Sequence, residues 1–197
     1  MSAATSADLT PRRLLGDVHQ GDELPQLRYP VTATTVVLGA LASRDWRPMH
    51  HDHDFAVKRN GTKDIFLNTP NQAAWFERYL TDWTGPHGRL AHMSFRMRGS
   101  VFPGDTMALD GVVESTEVDE VGCGFATVGV TLSVEGDAKT TCTARIALPR
   151  THDDNPWARR GDRWKPAAPR VRETRAVQAE RAEQTPGAAQ ARVEERR

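Results

Sequence analysis

Several things are scarce in this 197-residue chain, and each scarcity narrows what it does. It has two cysteines, Cys123 and Cys142, both inside apolar runs and without the paired spacing of a zinc site, so they read as buried free thiols. It has no net charge, with 26 Lys+Arg against 26 Asp+Glu, and the charge balance therefore gives no argument for nucleic acid or an anionic membrane as partner. No apolar run approaches the length of a membrane span, and the opening MSAATSADLTPRRLLGDV has no signal-peptide core, which predicts a cytoplasmic protein. Large aliphatics are scarce from about Thr151 onward, where Arg, Glu, Ala and Pro dominate. Internal repeats are absent. Asn60-Gly61-Thr62 has the form of a glycosylation sequon but, with no secretory signal, reads as a turn.

What is abundant is local. Ser43 to Ala56 reads SRDWRPMHHDHDFA, with three histidines and three aspartates around one proline. Three readings compete: a metal site drawn from His50, His51, His53, Asp52 and Asp54; an exposed polar loop; and an acid–base pair of Asp45 and His50. The metal reading lacks a separated partner set such as His-Glu-x-x-His. The acid–base reading has Pro48 to bend the chain between a carboxylate and an imidazole, whose reference pKa values of about 3.9 and 6.5 suit proton transfer at neutral pH.

The clearest helix signal follows, in DIFLNTPNQAAWFERYLTDWTGPHG. Thr69 is a candidate cap, Pro70 suits the first helical position, and Gln72 completes a Thr-x-x-Gln capping box. Phe76, Leu80 and Trp83 fall on one stripe with Trp75 and Tyr79 beside it, a face wide enough for a helix enclosed on several sides. Before the loop, LPQLRYPVTATTVVLGALAS offers a strand-like segment and a short apolar stretch. After the helix the period changes to two. Ala91, Met93, Phe95, Met97 and Val101 alternate with polar residues. Met107, Leu109 and Val113 share a face in the next run, Ala126 to Val134 in the third, and Cys142, Ala144, Ile146 and Leu148 in the fourth. One enclosed helix followed by a meander of four strands predicts the α+β class, an antiparallel sheet curled around the helix. The expected organisation is a mobile segment 1–24, a domain 25–149 and a charged, disordered tail 150–197. Such a tail adds little to the core, so its removal would barely change stability. Trp157 and Trp164 are exceptions within it, either docked on the core or a partner or exposed.

The run Asp-Trp-Arg-Pro-Met-His, Asp45 to His50, resembles the Asp-x-Asn-Pro-x-His signature of MaoC-like, R-specific enoyl-CoA hydratases, which have the hotdog fold. SVFPGDTM resembles that family's late Pro-Gly-Asp motif, and the order loop, helix, meander is the family's over roughly residues 25–149. The stretch from HHDHDFAVKRNGTKDIFLN to RYLTDWTGP is similar, more specifically, to the small catalytic subunit of actinobacterial steroid side-chain hydratases. The resemblance implies hydration of a 2-enoyl-CoA thioester to a 3-hydroxyacyl-CoA, with a bulky steroid side-chain acyl group as substrate. It implies Asp45 and His50 as the catalytic pair, no metal and no cofactor beyond the CoA carried on the substrate. It also implies a second MaoC-like subunit as partner, with a homodimer as the alternative. A hotdog acyl-CoA thioesterase and a non-catalytic partner subunit are the competing functions. Two departures stand out: Arg44 replaces the usual Gly before the Asp, and Arg47 replaces the Asn. Where the family shows a His-Gly at the helix start, this chain has LNTPNQ; Pro70 has no N–H, so the role of binding the thioester oxygen passes to Thr69 or Asn71.

Overall fold

A computed structural model describes residues 13–166. Five strands form one antiparallel sheet in the order β1-β3-β4-β5-β2: β1 Glu23–Pro30, β2 Arg89–Met97, β3 Thr106–Val118, β4 Gly124–Val134 and β5 Asp137–Leu148. Three α-helices accompany it: α1 Ala33–Ala42, α2 His53–Lys58 and α3 Thr69–Thr84. The sheet buries one face on α3, as a hotdog does. Phe76, Tyr79 and Leu80 of α3 pack among Met107, Leu109, Val113, Val128, Val130, Leu132, Ala144 and Ile146, so the period-two residues meet the helix stripe in one core. Gly111 allows that fit, since a Cβ there would lie 3.0 Å from the Tyr79 ring. Both cysteines are buried and unbonded, and burial pushes the Cys142 thiol up to about 12.

The expected alternation breaks at one point. The β2–β5 register shifts between Leu90 and His92, and this bulge turns Ala91 to the other side of the sheet, onto the cluster of Cys123, Phe125 and Ala147 against which Trp164 also packs. Met97, expected on the buried face, is exposed. The apolar stretch before the loop forms α1, opened by a reciprocal Thr32–Thr35 capping box.

The domain edges differ from the expectation as well. Val18 is buried, Leu15 N–H bonds the Pro149 carbonyl, and Gly21 N–H bonds that of Val113, so residues from Leu15 on are bonded to the folded domain. At the other end Pro156 is buried and Trp157 Nε1–H donates to the Gly88 carbonyl at 3.1 Å. Trp164 packs beside Phe125, and the Arg89 guanidinium lies 3.6 Å from its ring centroid. Residues 150–165 are therefore a strap across the back of the sheet. The physical reason is that two indoles and a proline supply apolar area where the aliphatics run out. The remainder of the expected terminal segments, 1–12 and 167–197, lies outside the described residues. No helix among the described residues is long and apolar enough to cross a membrane.

Candidate active site

The His/Asp-rich stretch divides into parts with different tasks. Asp52 caps α2 by accepting from Phe55 N–H at 3.0 Å, and Asp54 pairs with Lys58 one turn on. His51 and His53 are exposed. Among the described residues no group of three His, Cys, Asp or Glu side chains is placed to hold a metal ion. The polar-loop reading thus accounts for the second half of the stretch, and Asp45 and His50 stand apart from it.

His50 is buried, 2% exposed, in a short helical turn, Pro48–His50, begun by Pro48. Its Nδ1 lies 2.8 Å from the Phe66 carbonyl, and the Phe66 ring meets the imidazole edge-on. A carbonyl only accepts, so Nδ1 carries the hydrogen and Nε2 presents its lone pair in the neutral ring. Nε2 faces Asp45 Oδ2 at 3.5 Å. Two acceptors opposed at that distance call for a donor: a proton on Nε2, or a water giving one O–H to each.

Asp45 follows α1. Its backbone N–H bonds the Ala40 carbonyl, and the residue before it, Arg44, has φ +54°. This left-handed conformation gives a physical reason for the glycine that the MaoC-like resemblance implies at that place. Arg47 grips the Asp45 carboxylate with both prongs, Nε to Oδ1 at 2.8 Å and Nη2 to Oδ2 at 2.7 Å. Asn68 Nδ2 adds a bond to Oδ2 at 3.0 Å. The bond from Arg47 holds the Asp45 carboxyl far below the usual carboxylate range; it outweighs partial burial, which acts the other way, and Asn68 and His50 add to the lowering.

The sequence signals at the start of α3 need correcting. The cap is Asn68, whose Oδ1 accepts from Asn71 N–H at 3.0 Å; Thr69 and Pro70 are the first helical residues. Gln72 closes no capping box but lies buried, its Oε1 accepting from Thr140 Oγ1. Asn68 also donates to Ser43 Oγ at 2.8 Å, so one buried side chain ties the end of α1, Asp45 and the start of α3 together. Sequence reasoning passed over it, although Asn one residue before Thr-Pro was a sufficient cap signal.

Of the two residues expected to meet the thioester oxygen, Asn71 is otherwise engaged. Its N–H is taken by the cap, and its buried amide donates to the Thr35 carbonyl at 3.2 Å while lying against Gly39 of α1. Thr69 is exposed, its hydroxyl donates to Met97 Sδ at 3.3 Å, and its N–H takes no partner among the described residues. The structure thus gathers Asp45, His50 and the Thr69 N–H near the N-terminus of α3 and sets Asn71 behind them. The residues gathered there lack thiolates, redox groups and a phosphate-binding glycine loop; what the arrangement offers is an oriented carboxylate, an imidazole with one free nitrogen and a helix dipole.

No protein-family model matches the chain. It is 37% identical, over 110 residues, to the 3-oxo-4,17-pregnadiene-20-carboxyl-CoA hydratase beta subunit of Mycobacterium tuberculosis, covering 56% of this chain and 81% of that one. Among solved structures it is similar to the ChsH1-ChsH2 complex from Mycobacterium tuberculosis, with a TM-score of 0.60 and 32% identity over 66% of this chain and 97% of that chain. The (R)-hydratase from A. caviae involved in PHA biosynthesis gives a TM-score of 0.60 at 22% identity, covering 67% of this chain and 98% of that one. A MaoC-like dehydratase from Rhodospirillum rubrum gives 0.63 at 19%, covering 71% and 98%. At such identities the last two bear on the fold alone.

Proposed function

The chain belongs to the MaoC-like hydratase family, and from that premise we propose that it adds water to the double bond of a 2-enoyl-CoA thioester, giving the 3-hydroxyacyl-CoA. The observation that carries this reading is the opposition of Asp45 Oδ2 and His50 Nε2 at 3.5 Å beside the N-terminus of α3. A water between them is held by two acceptors and aimed by both. As its oxygen bonds the β-carbon, one O–H proton leaves it, and the α-carbon receives a proton. Negative charge builds on the thioester oxygen meanwhile. The Thr69 N–H and the positive end of the α3 dipole stabilise that charge. Asn71 serves the same site indirectly, by fixing α3 against α1.

The name of the Mycobacterium tuberculosis relative supports a bulky polycyclic acyl group, and its "beta subunit" name and the solved ChsH1-ChsH2 complex support a second subunit as partner. The test is to follow loss of the conjugated-thioester absorbance with a panel of enoyl-CoAs, using the chain alone and with a MaoC-like partner. Asp45→Asn and His50→Ala are each expected to cut the rate by roughly 10²–10⁴-fold. Wild-type rates in both variants of an active complex would make this chain the supporting subunit. Release of free CoA instead of hydration would make it a thioesterase.

A further inference from the structure

Arg47 has no place in the water-holding geometry, yet it makes the closest contact in the site. Its two nitrogens lie 2.7 and 2.8 Å from the two Asp45 oxygens, nearer than His50 at 3.5 Å. A forked guanidinium–carboxylate pair fixes the carboxylate plane as well as its charge. Arg47 is itself 60% exposed, whereas Asp45 is 10% exposed, so the guanidinium covers the carboxylate from the solvent side. The groups facing Asp45 are Arg47 from its own loop, His50 from the short turn that follows, and the neutral amide of Asn68 from the cap of α3. Two of these are cations or become so, and the third donates; a proton on either Asp45 oxygen would break a bond to at least one of them.

We propose that Arg47 is a positioning residue: its fork fixes the Asp45 carboxylate against His50 and leaves both proton transfers to His50. This rests on the hydratase reading. His50 Nε2 takes one proton from water as the oxygen bonds the β-carbon and the π electrons move onto the α-carbon and thioester. The imidazolium then returns that proton to the α-carbon, the Nε2–H bond breaking as the new C–H bond forms. One water is consumed, its H and OH are added, and Asp45 ends as it began. Its part is to stabilise the imidazolium at 3.5 Å, a distance suited to an ion pair. The low-lying Asp45 carboxyl is consistent with this division of labour.

The test combines a pH profile with a titration that needs no turnover, both on the full chain. In the wild type, log kcat/KM is expected to fall on the acid side with a slope of one, a single group losing its function. In Arg47→Asn the Asp45 carboxyl returns toward the ordinary range near pH ~4, so the acid limb steepens toward a slope of two. Arg47→Lys keeps a charge without the fork; a slope of one with kcat lowered about tenfold is expected. Independently, the ¹³C-carboxyl signal that vanishes in Asp45→Asn should titrate about one pH unit or more higher in Arg47→Asn than in wild type. A wild-type pH profile and an unmoved carboxyl titration in Arg47→Asn would overturn the proposal. If no enoyl-CoA is turned over by the wild type, the hydratase reading fails by itself; the carboxyl titration then still upholds or overturns the clamp.

Discussion

At residue scale the facing carboxylate and imidazole come from one loop, and Phe66 and Asn68 from the following segment hold them. The pairing of Asp45 with His50 was legible because only four residues, one of them a proline, separate the carboxylate from the imidazole, and local spacing survives folding. Asn71 was expected to offer a free N–H because Thr69 was read as the cap; with Asn68 as the cap that N–H is taken, and the side chain runs back to Thr35. Arg44 yields a prediction of its own. Its φ of +54° costs a non-glycine residue roughly 1 kcal/mol, a cost that a β-branched side chain increases. Arg44→Gly should therefore hold or raise the thermal midpoint, and Arg44→Val should lower stability by about 1–2 kcal/mol in denaturant melts. Equal losses in both would mean that the Arg44 side chain, rather than its backbone, matters. Asn68 is the residue with most to lose. Asn68→Ala removes a helix cap, expected to cost about 1 kcal/mol, and frees one side of Asp45. Its rate loss should exceed that of Thr69→Ala, measured with the same enoyl-CoA.

At the scale of elements, period and class were legible and interruptions were not. Four strands and one enclosed helix followed from apolar spacing alone, since each buries one face. The bulge at Leu90/His92 leaves no mark in the residue pattern, because Ala91 suits either side of a sheet. Helix α1 escaped for a related reason. It carries apolar residues all round, with Val36 and Ala40 buried and Leu38 and Leu41 exposed, so it shows no amphipathic period. Its contact with α3 is tight: a Cβ on Gly39 would stand 1.8 Å from Asn71 Nδ2. Asn71 is buried with both its amide bond to Thr35 and its N–H bond to Asn68 in place, so it has little room to give. Gly39→Ala is expected to destabilise the fold by about 1–3 kcal/mol despite the better helix propensity of alanine. Pairing it with Asn71→Ala should restore much of the loss; a double variant no better than the single would place the strain elsewhere.

For the molecule as a whole, what the sequence left open is where the chain's ends go and what covers its edges. The strap 150–165 holds Phe125, Cys123 and Ala147 dry beneath Trp164, and Arg89 bonds the Pro156 and Arg159 carbonyls. Truncation after Arg150 should thus cost about 2 kcal/mol or more, a fall of roughly 4–8 °C in the thermal midpoint, where composition alone suggested almost none. The two sheet edges are not alike. Edge strand β1 contains Pro25 and Pro30 and a register shift between Leu24 and Leu27, features that spoil pairing with another strand. Edge strand β2, Arg89–Met97, contains no proline, and past its bulge it pairs regularly with β5 from His92 to Met97. Its outer edge is free among the described residues, and Met97 at its end touches Thr69 in the site. A second hotdog joining here would extend the sheet and close over the substrate. Near the same site Trp46 is 65% exposed between Asp45 and Arg47, and Leu38 and Leu41 are exposed on α1, apolar side chains that a partner or substrate would cover. Amide exchange across 92–97 should slow by at least tenfold on assembly with a MaoC-like partner or a second copy, while exchange across 23–30 stays as it was. Light scattering then separates the two occupants: a monodisperse, active homodimer favours a second copy, and a chain that gains solubility and activity only on co-expression favours the heteromer. Protection appearing on β1 instead of β2 would place the interface on the edge that proline was expected to guard.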